Sequence, residues 1–498
     1  MSPRIEQCLL QESEIVLTVR IPLNLEAQRP LEHLANEGKI EEGVRAVGLA
    51  ATQRVYQEMA KHHEETPGYR NGDGYWMRQV GKSSVDYVCP YGPFEVERPR
   101  FYNDQTGSGE VPFEHETRME AHKMTPMLQY VALRKLAEKG PEAAAAAFED
   151  ERGLKISHHL LDRFLEDSGW VYTEEVRDGS LEEFLKKDWR PCWLPPVTRV
   201  SEAEADPAPT VGSQEKMREG SREERPPEGT QRGTFPVVQM DAMTVTTRHY
   251  AEPTEENPDG RRYQTERHQL HNAVVGFIAP EGPREAGDKI ELDSKRYFSE
   301  YYKPNALPEY ARTYLQACGV KPGDEVGLYG DGDEKIWERY REAMKGYRRT
   351  EVLDERHCRS NLREMSEYAY PNDEQRQVQW VETRLDDLYE AHYDAFFNAL
   401  NYLVKRSKGE SPSEKLKTKR SYFRRNQHRI RYADFLQRGL PISTCFVESA
   451  HNHVIGDRVR KNGRSYAEYR LQMIVDFRCE YKSKRLARVF ERILEVAA

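Results

Sequence analysis

No stretch of this 498-residue sequence approaches the ~18 consecutive apolar residues that a membrane-crossing helix requires, which argues against an integral membrane protein. Paired cysteines are also missing. Cys8, Cys89, Cys192, Cys318, Cys358, Cys445 and Cys479 are scattered, odd in number and free of any CxxC spacing, so reduced thiols are expected and neither a disulfide framework nor a zinc knuckle is. The opening MSPRIEQCLLQESE lacks the apolar core and cleavage site of a signal peptide, and a cytoplasmic protein is expected. An overall basic excess is absent as well: 84 acidic residues face 75 basic ones, for a net charge of −9. Taken alone, that sum disfavours a nucleic-acid partner, because phosphate binding requires Lys and Arg to displace counterions. No internal repeat and no heptad pattern is visible.

What is present describes several domains. The chain is longer than one hydrophobic core usually serves, and its 37% hydrophobic and 32% charged residues suit a protein with a large polar surface. Residues 197–233, rich in Pro, Glu, Arg, Ser and Gly, cannot bury enough apolar surface to offset their ordering entropy and are read as a flexible linker. They separate an N-terminal DNA-binding region, 1–196, from a C-terminal part. Within the first, helical patterns over Val44 to His63 precede a strand-like VDYVCPYGPFEVERPRFY. TPMLQYVALRKLAEKG, EAAAAAFEDERG and SHHLLDRFLEDSG then give three short helices, with Ser157 placed to cap the third. That layout, about 125–169, is the layout of a helix-turn-helix, with Lys155, His158, His159 and Arg163 as DNA-contact candidates; an ordinary packed bundle is the competing reading.

The C-terminal part alternates. PVVQMDAMTV is an apolar run of strand length with Asp241 at its middle, AVVGFIAP a second strand, and KIELDSKRYFSEYY contains a third. The helix LPEYARTYLQACG leads to EVGLYGDG, which ends on Asp331; the helix EKIWERYREAM and the short strand TEVLD follow. Three strands, helix, strand, helix, strand is the order of a ribonuclease H-like core, so the fold class expected is multidomain α/β: a helical N-terminal region with a helix-turn-helix, then a ribonuclease H-like mixed sheet with a helical insertion. The boundaries are 234–356 for the first part of the core, 357–440 for the insertion and 441–498 for the core's C-terminal part.

Asp241 and Asp331 carry the chemical argument. A carboxylate in or at the end of a buried strand is costly to desolvate without a partner such as a metal, and adjacent parallel strands could bring the two together. Two-metal phosphoryl transfer needs such oxygen ligands near the substrate phosphates. Each also has a bland alternative: Asp331 lies in GDGD, a polar turn in which Asp333 could cap the next helix, and Asp241 could merely end a strand. Charge is unevenly distributed too. The stretch Lys415, Lys417, Lys419, Arg420, Arg424, Arg425, Arg429 and Arg431, with Tyr422 and Phe423 interleaved, could track a DNA backbone and stack a base, or form a solvated helix face.

Downstream, HRIRYADFLQRGLPISTCFVESAHNHVIGDRVRKNGRSYAEYR resembles the end of the catalytic domain in DDE transposases of bacterial insertion sequences, in particular the Kra-type group. The matching positions are Arg431 with Tyr432, then Gly439, Pro441 and Ile442, then Val447, Glu448 and Ser449, followed by Arg458, Arg460 and Lys461. GDGDEKIW resembles the family's element at the second acid, with Ile336 and Trp337 at its end, and YGPFEVERPRFYN resembles its strand before the helix-turn-helix. The resemblance is clearest from about Phe235 to Arg488. Ser443, Thr444, Cys445 and Phe446 depart from a family Gly-Ser-Gly run, and Ala242 and Met243 follow Asp241 where relatives have Gly.

The resemblance implies an enzyme with Asp241, Asp331 and Glu448 as catalytic acids and metal ligands, and two Mg2+ ions for which Mn2+ can substitute. Its partners would be double-stranded DNA at element ends and targets, and the chain would act as a homodimer or higher multimer. Asp354 and His357, three apart in LDERH, match an auxiliary Asp-x-x-His motif; a helix cap and a polar helix residue are the bland reading. Arg458, Arg460 and Lys461 would contact DNA, as could His451 and His453 on the helix after Glu448. A transposase-derived DNA-binding protein whose metal chemistry has failed, and a nuclease on the same fold, remain open alternatives.

Overall fold

The computed structural model describes residues 3–11, 14–23, 30–173, 234–250, 263–280, 282–288, 290–406, 410–460 and 465–496. The linker 197–233, Cys192 and Lys461 lie outside the described residues. The fold is mixed α/β with several sheets, one of them mixed, and the chain forms two compact units: one from Met1–Glu175 with Val489–Ala498, the other from Val176–Arg488. Val489, Phe490 and Ile493 are buried, and Phe490 sets its ring 5.7 Å from that of Tyr130 in the first unit.

In the first unit, β1 (Arg4–Gln11) and β2 (Glu14–Arg20) form a hairpin, and α1 (Pro30–Lys61) follows. The hairpin was not anticipated, although EIVLTVR alternates in burial along β2 as a two-faced strand should. A four-stranded antiparallel sheet runs β3 (Gly68–Arg70), β4 (Trp76–Cys89), β5 (Gly92–Tyr102), β6 (Gly109–Glu110). Along β5, Phe94 and Val96 point inward and Glu95 and Glu97 outward, the period-2 pattern of a strand with one face on a core. Helix α1 covers this sheet and is fastened to it by Gln57, whose side chain donates to the Glu97 carbonyl at 2.9 Å and accepts from its amide at 3.1 Å. After α2 (Pro112–Thr117) come α3 (Pro126–Glu138), α4 (Pro141–Arg152) and α5 (His158–Val171), which pack on one another through Leu133, Phe148, Leu161 and Phe164. Ser157 caps α5 by accepting from the His159 amide at 3.2 Å.

The second unit is built on a five-stranded sheet in the order β11-β10-β7-β8-β9. Strands β7 (Phe235–Tyr250), β8 (Tyr263–Ile278) and β9 (Asp293–Glu300) are antiparallel neighbours; β10 (Glu325–Gly330) lies parallel to β7, and β11 (Arg348–Leu353) parallel to β10. The two crossovers carry α6 (Leu307–Ala317) and α7 (Glu334–Ala343). Val238, Met240, Ala273, Val275 and Phe277 meet Leu307, Leu315, Trp337 and Tyr340 in one core. Side chains alternate along a strand, so Gln239 and Asp241 face the other way.

Helices α8 (Glu355–Ala369), α9 (Glu374–Tyr389), α10 (Tyr393–Arg406), α11 (Glu410–Arg425) and α12 (Tyr432–Gln437) form a helical block after β11. The chain then returns to the sheet with α13 (Cys445–Ala450), which widens into a π-helical turn over His451–Gly456, and α14 (Glu468–Lys482) packs on β7 and β9. Every residue of α14 from Leu471 to Glu480 is buried, polar ones included. These polar groups are bonded: Gln472 donates to the Ser299 carbonyl at 3.0 Å and to Asp476 at 2.8 Å, and Glu480 pairs with Arg296. The final helix is α15 (Leu486–Val496). Among the described residues, no helix is long and apolar enough to cross a membrane.

Candidate metal centre

Strand β7 brings Asp241 to the sheet face that α13 covers, and β10 ends at Gly330, so Asp331 is the first residue beyond its neighbour's carboxyl end. The parallel register sets Tyr329 opposite Gln239, which leaves the two aspartates side by side. The turn after β10 is fixed locally: Asp331 Oδ1 accepts from the Asp333 amide at 2.9 Å, and Asp333 caps α7 by accepting from the Lys335 amide at 3.0 Å. Gly332 between them has φ +89°, and a Cβ there would collide with the Tyr422 hydroxyl, so glycine is needed on both counts. That hydroxyl donates to the Asp331 carbonyl at 2.9 Å and anchors α11 to the same turn.

His357, in the first turn of α8, completes a group with Asp241 and Asp331 in which one potential ligand atom from each lies within 4.8 Å of the others. Its orientation is set by Asp354, fully buried at the end of β11, whose Oδ2 accepts from His357 Nδ1 at 2.8 Å and from the His357 amide at 3.2 Å. With Nδ1 engaged by a carboxylate, Nε2 is the nitrogen left to ligate, an arrangement that fixes a metal-binding histidine's tautomer. The other oxygen of Asp354 accepts from the Thr444 amide at 2.8 Å, so one buried carboxylate ties the start of α8 to the start of α13.

Burial pushes the Asp241 carboxyl up to about 6, and the neighbouring Asp331 and Asp354 charges add to this; the Ala242 amide and His357 oppose it. The hydrogen bond that His357 donates to Asp354 raises it above its ordinary range, burial opposes, and the charges of Asp354, Asp241 and Asp331 reinforce the rise. Burial would raise Asp354 too, but its bonds to His357 and Thr444 outweigh that and hold it low. His451, whose Nδ1 stands 3.8 Å from Asp241 Oδ2, is driven down to about 4 by burial and by Arg460, and is therefore neutral near pH 7. Among the described residues, neither Asp241 nor Asp331 has a lysine or arginine in ion-pair contact. Concentrated negative charge without a lysine or arginine beside it is the electrostatic condition a cation relieves, and two carboxylates with one imidazole are donors suited to a divalent ion. Asp241, Asp331 and His357 could hold one.

Glu448 lies outside this group: it sits on α13 with its carboxylate paired to the Arg356 guanidinium, while His357, expected as auxiliary, stands with the two aspartates. The competing idea that Asp354 and Asp333 are helix caps is correct for both, and for Asp354 the cap is at the same time the support of His357. Sequence reasoning also passed over Gln239, fully buried two residues before Asp241. Its Oε1 accepts from the Phe446 and Val447 amides at 3.1 and 3.2 Å and its Nε2 donates to the Ser443 carbonyl at 3.1 Å, which bolts the Glu448 helix to the Asp241 strand. A lone Gln inside the apolar run PVVQMDAM was the available signal.

The basic residues sort by burial. Arg429 is buried, stacked 4.2 Å from the Trp337 ring centre and paired with Glu351 at 2.7 Å, and Arg458 is buried beside Tyr466; neither can reach a DNA backbone. Phe423 is fully buried, which removes it as a base-stacking platform, and Tyr422 holds Asp331 instead. Lys417 pairs with Glu414, Lys419 with Glu364 and Arg431 with Asp434, while Lys415 lies over the Tyr368 ring. Arg424 and Arg425 are exposed, Arg420 is half-buried, and Arg460 is exposed beyond the π-helical turn. In the first unit Lys155, His158, His159 and Arg163 are all exposed. No protein-family model matches this sequence, and no characterised protein is similar enough to be matched with it.

Proposed function

We propose that the protein is a DNA transposase of the DDE type, with a ribonuclease H-like catalytic core in its second unit. The observation that carries the reading is the convergence of Asp241, Asp331 and His357 at adjacent parallel strands of a β11-β10-β7-β8-β9 sheet. Three antiparallel strands followed by two parallel ones, with acids on the first and just past the fourth, is the arrangement expected of that core. The resemblance of the segment around Glu448 to insertion-sequence transposases supplies the substrate class and the third acid.

In this reading a pair of Mg2+ ions, for which Mn2+ can substitute, supplies Lewis-acid polarisation of a phosphodiester and activation of the attacking oxygen when bound. The chain's own residues do the holding. Asp241 and Asp331 provide hard oxygen donors, His357 a nitrogen whose direction Asp354 fixes, and Gln239 keeps the helix bearing Glu448 against the strand bearing Asp241. The exposed Arg424 and Arg425 at the end of α11, close in sequence to the Tyr422 anchor on the Asp331 turn, are placed to hold phosphates. Helices α3 to α5 would act as the helix-turn-helix that reads element ends, presenting His158, His159 and Arg163 from α5. Assembly on DNA as a dimer or larger multimer belongs to the same reading.

The test is incubation of the protein with Mg2+ or Mn2+ and labelled DNA carrying the sequences that flank its gene, wild type beside Asp331→Asn and Glu448→Gln. Metal-dependent cleavage and joining that both variants lose is the expected outcome. Cleavage without joining would turn the assignment to a nuclease. Binding of those DNA ends without any product, under conditions that support a related active enzyme, would overturn the catalytic reading in favour of a DNA-binding derivative.

A further inference from the structure

Arg356 and His357 are neighbours in the first turn of α8, yet they serve opposite sides of the centre. His357 turns to Asp354 and the two aspartates; Arg356 reaches across to Glu448 on α13. The Arg356 side chain is 63% exposed and that of Glu448 22%, so the pair lies at the solvent edge of the centre. Three positions after Glu448 on the same helical stretch, His451 places Nδ1 3.8 Å from Asp241 Oδ2. Residues three apart share a helix face, so Glu448 stands on the face that borders Asp241 and is turned aside by the guanidinium.

Resting on the transposase reading, we propose that the Arg356–Glu448 ion pair is a substrate-released latch: Arg356 is a contact for a DNA phosphate, and its transfer from Glu448 to that phosphate frees the Glu448 carboxylate to complete the metal centre. Three physical points support the latch. An ion pair this exposed contributes little to stability, so exchanging one anion for another is inexpensive. A phosphate offers a guanidinium the same two-pronged geometry as a carboxylate. The two helices that carry the pair are fixed beneath it by Asp354, which bonds the start of each, and by Gln239; side chains can exchange partners while the backbones stay put. The consequence is that metal loading and DNA binding assist each other, because the group that repels the phosphate is the group the metal needs.

The experiment uses the full-length protein, with a double-stranded DNA of the element end and Mn2+ as probes. In EDTA, where no metal contributes, Glu448→Gln frees Arg356 and tightens DNA binding about two- to fivefold, the range an exposed ion pair carries. In the Arg356→Ala background the same Glu448 substitution gives no such gain. Without DNA, Arg356→Ala raises Mn2+ affinity as followed by electron paramagnetic resonance, and Arg356→Lys lies between it and wild type. The latch is overturned if Glu448→Gln tightens DNA binding equally with and without Arg356, or if Mn2+ binding in the absence of DNA is unchanged in Arg356→Ala. Thermal melting of each variant confirms the fold. Wild-type cleavage with a null result in this cycle sinks the latch alone; absence of cleavage, with Asp241→Asn still abolishing Mn2+ binding, sinks the transposase reading and with it the latch that rests on it.

Discussion

Each unit of this protein holds a cluster of carboxylate charge, and these two clusters are neutralised in opposite ways. In the first unit Glu114 is 4% exposed and accepts from the Tyr87 hydroxyl at 2.6 Å, with Arg98 at 3.2 Å and the Lys123 ammonium in contact. Arg98 is itself held by that tyrosine, so the cluster is closed and has two cations for its one acid. In the second unit Asp241, Asp331 and Asp354 gather with one histidine, and the cation nearest by sequence, Arg356, is spent on Glu448. A buried acid with matched cations holds a fold together; acids gathered without them are poised to take up an ion that the chain does not supply.

The sharpest way to break that contrast is to neutralise one acid in each unit. Asp241→Asn or Asp331→Asn is expected to cut metal-dependent DNA cleavage by at least about a thousandfold, the scale of losing metal charge stabilisation worth several kcal/mol, while leaving the melting temperature intact or raised. Glu114→Gln is expected to do the reverse: it strands Arg98 and Lys123 and costs about 3 kcal/mol of stability in chemical denaturation, with Mn2+ binding unchanged. If Glu114→Gln weakened metal binding, or Asp241→Asn unfolded the protein, the distinction between the two clusters would fail.

Removing supports of the centre should have intermediate effects. Asp354→Asn leaves His357 without its carboxylate and is expected to lower Mn2+ affinity about 10- to 100-fold by calorimetry, the usual consequence of losing a carboxylate behind a ligating histidine. Gln239→Leu removes the bolt between β7 and α13 and leaves the Phe446 and Val447 amides without their partner. Metal binding at the aspartates should survive, cleavage should fall, and stability should drop by about 2 kcal/mol, so equal loss of binding and cleavage would contradict its assigned role.

A pH series sharpens the comparison further. Asp241 in the metal-free protein titrates near 6, above its ordinary 3.8, so the neutral form is the one the fold favours. Its contribution to stability is complete below its unfolded value and is lost as pH rises through about 6. Asp241→Asn should therefore stabilise the metal-free protein at pH 7 by about 3 kcal/mol and have little effect at pH 4, since each tenfold change in proton affinity is worth ~1.4 kcal/mol. Metal affinity runs the other way and weakens as pH falls below about 6, because the proton and the cation compete for one carboxylate. The smallest expected effect lies outside the centre: Arg424→Ala with Arg425→Ala should lower the slope of DNA affinity against salt by about one for each phosphate that these arginines neutralise.

The strands and helices of the second unit were legible because each announces itself locally. Val237 and Val238 or Val326 and Leu328 read as buried strand, and the stripe of Ile336, Trp337 and Tyr340 as one helix face, whatever the rest of the chain does. Asp241 and Asp331 were legible for the same reason, as charges placed where apolar runs make them expensive. The β1–β2 hairpin was missed because its strands are half-exposed and have no buried apolar run, and α14 carries no amphipathic stripe because both its sides are buried.

The sequence by itself determined which residues could do chemistry: the acids, the Asp354–His357 spacing, the Gly332 turn and the run of basic side chains. Only the tertiary structure decided who meets whom. It put His357 rather than Glu448 with the aspartates, withdrew Arg429 and Arg458 into the interior, and made Gln239 a bolt. These outcomes depend on strand register and helix rotation, which are set by packing across long sequence separations, and no local pattern of residues records them.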